Sequence, residues 1–208
     1  MPKPVILFGI LVLGILGSAC QSAPPPTTLS EHAFTMRGVP IPQDVRRVAV
    51  FYPSEPEWTH AYLTLEHAVF QLKENRPELM VLSRRDVRPV EGELFLHLSG
   101  RVSDGTAVKV GHLLGADSIV LFQIEGPGWR ERLLARMYGS MPPILVMSKI
   151  VRVETGEVLY HDLVSSQVVP GAAGWEDFDN DYELRPVLRS ALERGLETAI
   201  ARLHWAFR

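Results

Sequence analysis

Few side chains in this sequence have the type and spacing that chemistry requires. The histidines are His32, His60, His67, His97, His112, His161 and His204. A metal pair on one helix turn needs two of them four residues apart, and none are. His60 and His67 can share a helix face, but no third ligand accompanies them, so no metal site is expected. No serine stands in a G-x-S-x-G turn, which removes the commonest hydrolase nucleophile. Gly111 and Gly115 superficially suggest a phosphate loop. They fall within and after a predicted helix, however, not between a strand and a helix N-terminus where amides would cradle an anion. Arg84 and Glu93 are spaced to pair across a helix as a structural ion pair. No residue set supports catalysis, and no cofactor is implied. The remaining reactive group is the thiol of Cys20, the one cysteine of 208 residues, so the chain has no internal disulfide.

The surroundings of Cys20 give that thiol a use. Lys3 precedes an apolar run, Val5 to Leu16, that is too short to span a bilayer. The run ends in Leu16-Gly17-Ser18-Ala19-Cys20, small residues leading to the cysteine. This resembles the bacterial lipoprotein signal, in which the thiol receives a diacylglycerol and the cysteine becomes the first residue of the mature chain. The leucine usual three places before the cysteine is Gly17 here, with Leu16 one step further off. Several acyl chains on one residue give stable anchoring. Gln21 follows, where an aspartate would favour retention at the inner membrane; its absence favours the outer membrane, on the periplasmic face.

Three segments follow from this reading: a signal peptide over 1–19, a tether over 20–44, and a globular domain over 45–208. Pro24, Pro25, Pro26, Pro40 and Pro42 make the tether an extended spacer. The domain is long enough to bury a sizeable core. Its composition is ordinary, with 46% apolar and 22% charged residues, and a net charge of −3 points to no nucleic-acid partner.

Within the domain, Arg46 to Tyr52 reads as a strand stopped by Pro53. Trp58, Ala61, Tyr62, Leu65, Ala68, Val69 and Leu72 recur at helical spacing and predict a helix to about Lys73. Leu79 to Leu82 is a second strand, and Asp86 to Leu98 a second helix. A third helix is capped by Ser103 or Asp104 at its start and Gly115 at its end, with Val108, Leu113, Leu114, Ala107 and Val110 as its apolar side. Ile119 to Ile124 is a nearly continuous apolar run and predicts a strand covered on both faces. Ile144 to Val153 and Val158 to Val169 form a hairpin whose turn, Glu154 to Glu157, puts Gly156 where a positive φ is needed. The last helix runs from about Glu183 to Phe207, with Pro186 in its first turn. The order β-α-β-α-α-β-β-β-α makes an α/β (α+β) domain: one mixed sheet of about five strands with helices packed on it.

With these elements placed, the chain resembles the CsgG-like family of bacterial lipoproteins, which includes the curli secretion channel subunit. Penicillin-binding-protein activator lipoproteins have a similar fold. The residues that carry the resemblance are V-A-V-F in the first strand, Arg84, Glu93, L-S-G at Leu98 to Gly100, L-L-G-A-D at Leu113 to Asp117, and V-E-T-G-E-V at Val153 to Val158. The resemblance implies a non-enzymatic protein that works by assembly or by binding envelope proteins.

One segment is left without a place in that plan. Between the third and fourth strands, Trp129, Arg130, Arg132, Leu133, Leu134, Arg136 and Met137 mix an aromatic ring, apolar side chains and cations. Such a set suits contact with a partner or a membrane surface. The leading reading is therefore a lipid-anchored envelope protein that binds or helps assemble other envelope components. Its partners are the membrane through the lipid, an envelope protein, and copies of itself in a homo-oligomer. The alternative is a pore subunit of the curli-channel type. A spanning hairpin takes two strands of about 9–11 residues of alternating polarity. Pro170 to Asp181 is too short for one, and Gly126 to Pro143 shows no alternation.

Overall fold

A computed structural model describes residues 40–83, 104–170, 174–178 and 180–208, all within one compact unit spanning 33–208. Cys20, the signal and most of the tether fall outside the described residues, as do Arg84, Glu93 and the helix expected from Asp86 to Leu98. The strands are β1 (Arg47–Phe51), β2 (Met80–Leu82), β3 (Ser118–Glu125), β4 (Ile144–Arg152) and β5 (Val158–Ser166). The helices are α1 (Thr59–Gln71), α2 (Asp104–Leu114), α3 (Trp129–Tyr138) and α4 (Asp181–Ala206).

The sheet is mixed, as expected, in the order β2-β1-β3-β4-β5. β1 runs parallel to β2 and β3, while β3, β4 and β5 alternate in direction. Pairing Val48 with Ser118 and Ser118 with Arg152 sets the register at one end of the sheet. Asp117 holds that end. Its carboxylate accepts the backbone N–H groups of Arg46 and Arg47 at 2.9 and 2.8 Å, and its carbonyl accepts that of Val153 at 2.9 Å. One residue thus ties the starts of β1 and β3 to the end of β4, which is the structural use of the L-L-G-A-D stretch.

α1 and α4 cover one face of the sheet. Val48, Val50, Val120, Phe122, Ile144, Val146 and Ile150 meet Tyr62, Leu65, Val69, Leu184, Ala191, Leu196 and Leu203 there. A smaller cluster on the other face joins Ala49, Phe51, Ile119, Leu121 and Val151 to Ala107 and Val110 of α2. β3 is therefore buried on both sides, with Ile119 at 1% and Leu121 at 9% exposure. Close approach of α2 rests on Gly111: a Cβ there would stand 2.3 Å from Val153 Cγ2. Gly115 and Gly156 take the positive φ values, 60° and 71°, that the sequence assigns them.

Three details differ from expectation. Leu113 points into solvent, because the face of α2 against the sheet is the narrow one of Ala107, Val110 and Gly111. α4 begins two residues early, at Asp181, since the Asn180 side chain accepts the N–H groups of Tyr182 and Glu183. Pro186 consequently lies beyond the first turn. And the stretch after β3, which the expected order leaves unassigned, is helix α3, so the order among the described residues is β-α-β-α-β-α-β-β-α.

Where the chain enters the fold it is held. Ile41 is buried, and its N–H donates to the Ala206 carbonyl at 2.8 Å. The buried Arg76 donates to the carbonyls of Pro42, at 3.0 Å, and Ile41, with its guanidinium 5.2 Å over the Phe207 ring.

Candidate functional site

α3 is short and simply made. Gly128 leads in with extended backbone, and Gly139 ends the helix at φ 65°, its N–H bonding the Ala135 carbonyl at 2.8 Å. Helical residues advance by about 100° each. Trp129, Leu133 and Met137 therefore form one line, with Leu134 and Tyr138 a second beside it. In an ordinary surface helix those lines would face the core. Here the foot of the helix is Ala135, its one buried residue, at 1% exposure. Arg132 fixes the flank, donating to Glu57 Oε1 at 3.3 Å and to the Pro127 carbonyl at 3.1 Å. The apolar lines face solvent: Trp129 is 65% exposed, Leu133 53% and Met137 74%. Arg130 is exposed and lays its guanidinium 5.3 Å over the Trp129 ring.

The structure thus brings together the segment singled out in the sequence. Trp129, Arg130, Leu133, Leu134 and Met137 share an exposed ridge, whereas Arg132 and Arg136 are half-buried beside its foot. Tyr138, which sequence reasoning passed over, extends the ridge by one more exposed ring. Its signal was the spacing of four from Leu134.

A groove borders α3, between α1 and α4, with a volume of about 1050 Å³. Leu188, Leu192, Leu196 and Ile200 of α4 form one side of its floor, and Trp58 and Ala61 the other. The charged rim along α4 is Arg185, Arg189, Glu193 and Glu197, again at intervals of four. Beneath α1 lies a buried polar cluster. Tyr52 stacks on Tyr62 at 5.0 Å and donates to Glu66 at 2.8 Å. The Tyr62 hydroxyl accepts the Ile124 N–H at 3.0 Å and donates to Glu55 at 3.3 Å. Burial, with the Glu55 carboxylate nearby, pushes the Tyr62 phenol well above the ordinary tyrosine range. These groups are used in holding α1 to β3. No cluster of three metal-ligating side chains occurs among the described residues, and none of their helices is long and apolar enough to cross a membrane. α3 occupies the stretch that a spanning hairpin would need.

No protein-family model matches this chain, and no curated protein does. Solved structures with likeness to it include the C-terminal domain of LpoB from Salmonella enterica, 14% identical, covering 59% of this chain and 83% of that one with a TM-score of 0.40. Lipoprotein GNA1162 from Neisseria meningitidis is 11% identical over 72% of this chain and 96% of its own, with a TM-score of 0.39. The PelC dodecamer from Paraburkholderia phytofirmans is 12% identical over 76% and 90%, with a TM-score of 0.37. Membership of the CsgG-like family is not shown by these likenesses.

Proposed function

We propose that this chain is a non-enzymatic, lipid-anchored protein of the outer membrane, held on its periplasmic face through Cys20, which binds or helps assemble other envelope components. The observation that carries the binding part is α3: it buries Ala135 and turns Trp129, Leu133, Leu134, Met137 and Tyr138 outward. Isolated exposed apolar residues are normal on a protein surface, but a contiguous ridge of them marks a contact site. Aromatic and arginine side chains are the usual anchors of such contacts. Support for the anchor is the small-residue stretch before the sole cysteine, directly after an apolar run.

Membrane fractionation with lipid labelling tests the anchor. Cys20→Ser is expected to take up no label and to leave the membrane fraction; wild-type protein without label would overturn it. A photo-crosslinking residue at position 134 tests the ridge. It is expected to form adducts with envelope proteins that vanish in Trp129→Ser with Leu133→Ser, and adducts unaffected by that pair would refute the role of α3.

A further inference from the structure

The prolines of the tether are unevenly placed. Pro24, Pro25 and Pro26 stand together, Pro40 and Pro42 adjoin the domain, and Thr27 to Val39 contains none. The last part of that stretch, Ala33-Phe34-Thr35-Met36-Arg37-Gly38-Val39, directly precedes the described chain at Pro40. Phe34 and Met36 are two residues apart, a spacing that puts both on one face of extended backbone. We propose that residues 33–39 lie lengthwise in the groove between α1 and α4, so that the chain covers its own apolar cleft. This does not depend on the reading of α3.

The point of entry is the first argument. Ile41 is held between the C-terminal ends of the two helices that wall the groove. Its N–H donates to Ala206 of α4, and its carbonyl accepts from Arg76, just beyond α1. His204 Nε2 lies 3.2 Å from the Ala68 carbonyl oxygen at that end, and the groove begins where this contact stops. Along α4 the near end of the groove, Ile200, is about 9 Å from Ala206, Leu196 about 15 Å and Leu192 about 21 Å, at 1.5 Å per residue. Extended backbone advances about 3.3 Å per residue, so Met36 reaches about 16 Å from Ile41 and Phe34 about 23 Å. The lengths therefore set Met36 at Leu196 and Phe34 at Leu192, with Ala61 and Trp58 on the opposite side.

Charge agrees with that register. The charged groups lining the groove are Glu57, Arg132, Arg185, Arg189, Glu193 and Glu197, with His60 on the α1 side. Glu57 and Arg132 pair with each other at 3.3 Å, and Arg185 lies 5.1 Å over the Tyr182 ring. These groups and Arg189 lie towards the far end, past the position that Phe34 reaches. Nearer the entry, Glu193 and Glu197 are exposed and form no ion pair among the described residues. Arg37 is the one charged residue of the segment. Four residues before Ile41, it stands about 13 Å along, level with Glu197. It also alternates with Phe34 and Met36, so it faces the rim while they face the floor.

Docked in this way, the segment takes the last part of the tether onto the domain. It covers the groove and leaves the α3 ridge open to other proteins.

The test places a photo-crosslinking side chain at position 34 of the full chain, purified in mild detergent. Adducts are expected within one chain, mapping to Trp58 and to Leu192 through Leu196. Glu193→Arg with Glu197→Arg is expected to lower their yield about tenfold, and adding Arg37→Glu to restore it. Cleavage by chymotrypsin after Phe34 follows the undocked population and is expected to be about tenfold faster in the double variant than in wild type. Adducts outside the groove, adducts that join two chains, or a yield indifferent to the charge swap overturn the proposal. Crosslinks at position 134 report on the ridge separately, so this inference can fail while the proposed function stands.

Discussion

α1 and α3 are neighbouring helices of similar length that treat their apolar residues in opposite ways. α1 buries Ala61, Tyr62, Leu65, Ala68 and Val69 against the sheet and leaves His60 and His67 in solvent. α3 buries Ala135 and leaves Trp129, Leu133 and Met137 in solvent. Burial of one large apolar side chain is worth about 1.5–3 kcal/mol, so α1 contributes far more to the stability of the fold than α3, whose one buried side chain is an alanine. A helix kept at the surface with its apolar lines outward has those lines available for association. The contrast separates what folds this chain from what it presents.

That contrast can be attacked in order of expected effect. Leu65→Ala removes a fully buried side chain of α1 and is expected to cost about 2–5 kcal/mol, read by denaturant unfolding. A loss under about 1 kcal/mol would mean that α1 is not the core element described. Ala135→Asp puts a carboxylate under the foot of α3, with an expected cost of about 1–3 kcal/mol. Its distinguishing readout is hydrogen exchange: protection in α3 should fall while α1 stays protected. Trp129→Ser with Leu133→Ser is expected to change stability by no more than about 0.5 kcal/mol, the ordinary range for exposed positions. A melting temperature lowered as far as by Leu65→Ala would show that the ridge is buried and erase the contrast.

Most of the fold was legible in the sequence because each element carries a local signal that agrees with its packing. The apolar run Ile119 to Ile124 predicts burial on both faces, and β3 is covered by α1 and α4 on one side and α2 on the other. Gly115 and Gly156 predict left-handed turns and adopt them. The apolar residues of α3 recur at helical spacing, so its helix was there to be read; what spacing could not show is that this stripe faces solvent while the foot is one alanine. The same residues were visible as a set with no structural use, and that set is the ridge. The groove left a fainter trace. The apolar residues of α4 include Leu184, Val187, Leu188, Ala191, Leu192, Leu196, Ala199, Ile200 and Leu203, an arc wider than one helix can press against one sheet. The surplus, at Leu188, Leu192 and Ile200, is the half-exposed part of the groove floor. Asn180 was missed because Pro186 drew the helix start towards itself, whereas the Asn180 cap decides it.

The grip of Arg76 on the entering chain has a mechanical consequence. Any pull that arrives at Pro40 enters the fold through the Ile41 and Pro42 carbonyls held by Arg76, and through the bond from Ile41 to Ala206. Beyond them the force enters β1 along its length. β1 is paired on both sides, with β2 and with β3, so tension along it shears two ladders at once. Hydrogen bonds loaded together in shear resist far more than bonds peeled one at a time. Where the chain enters the sheet, tension therefore loads both ladders of β1 together and not one bond at a time.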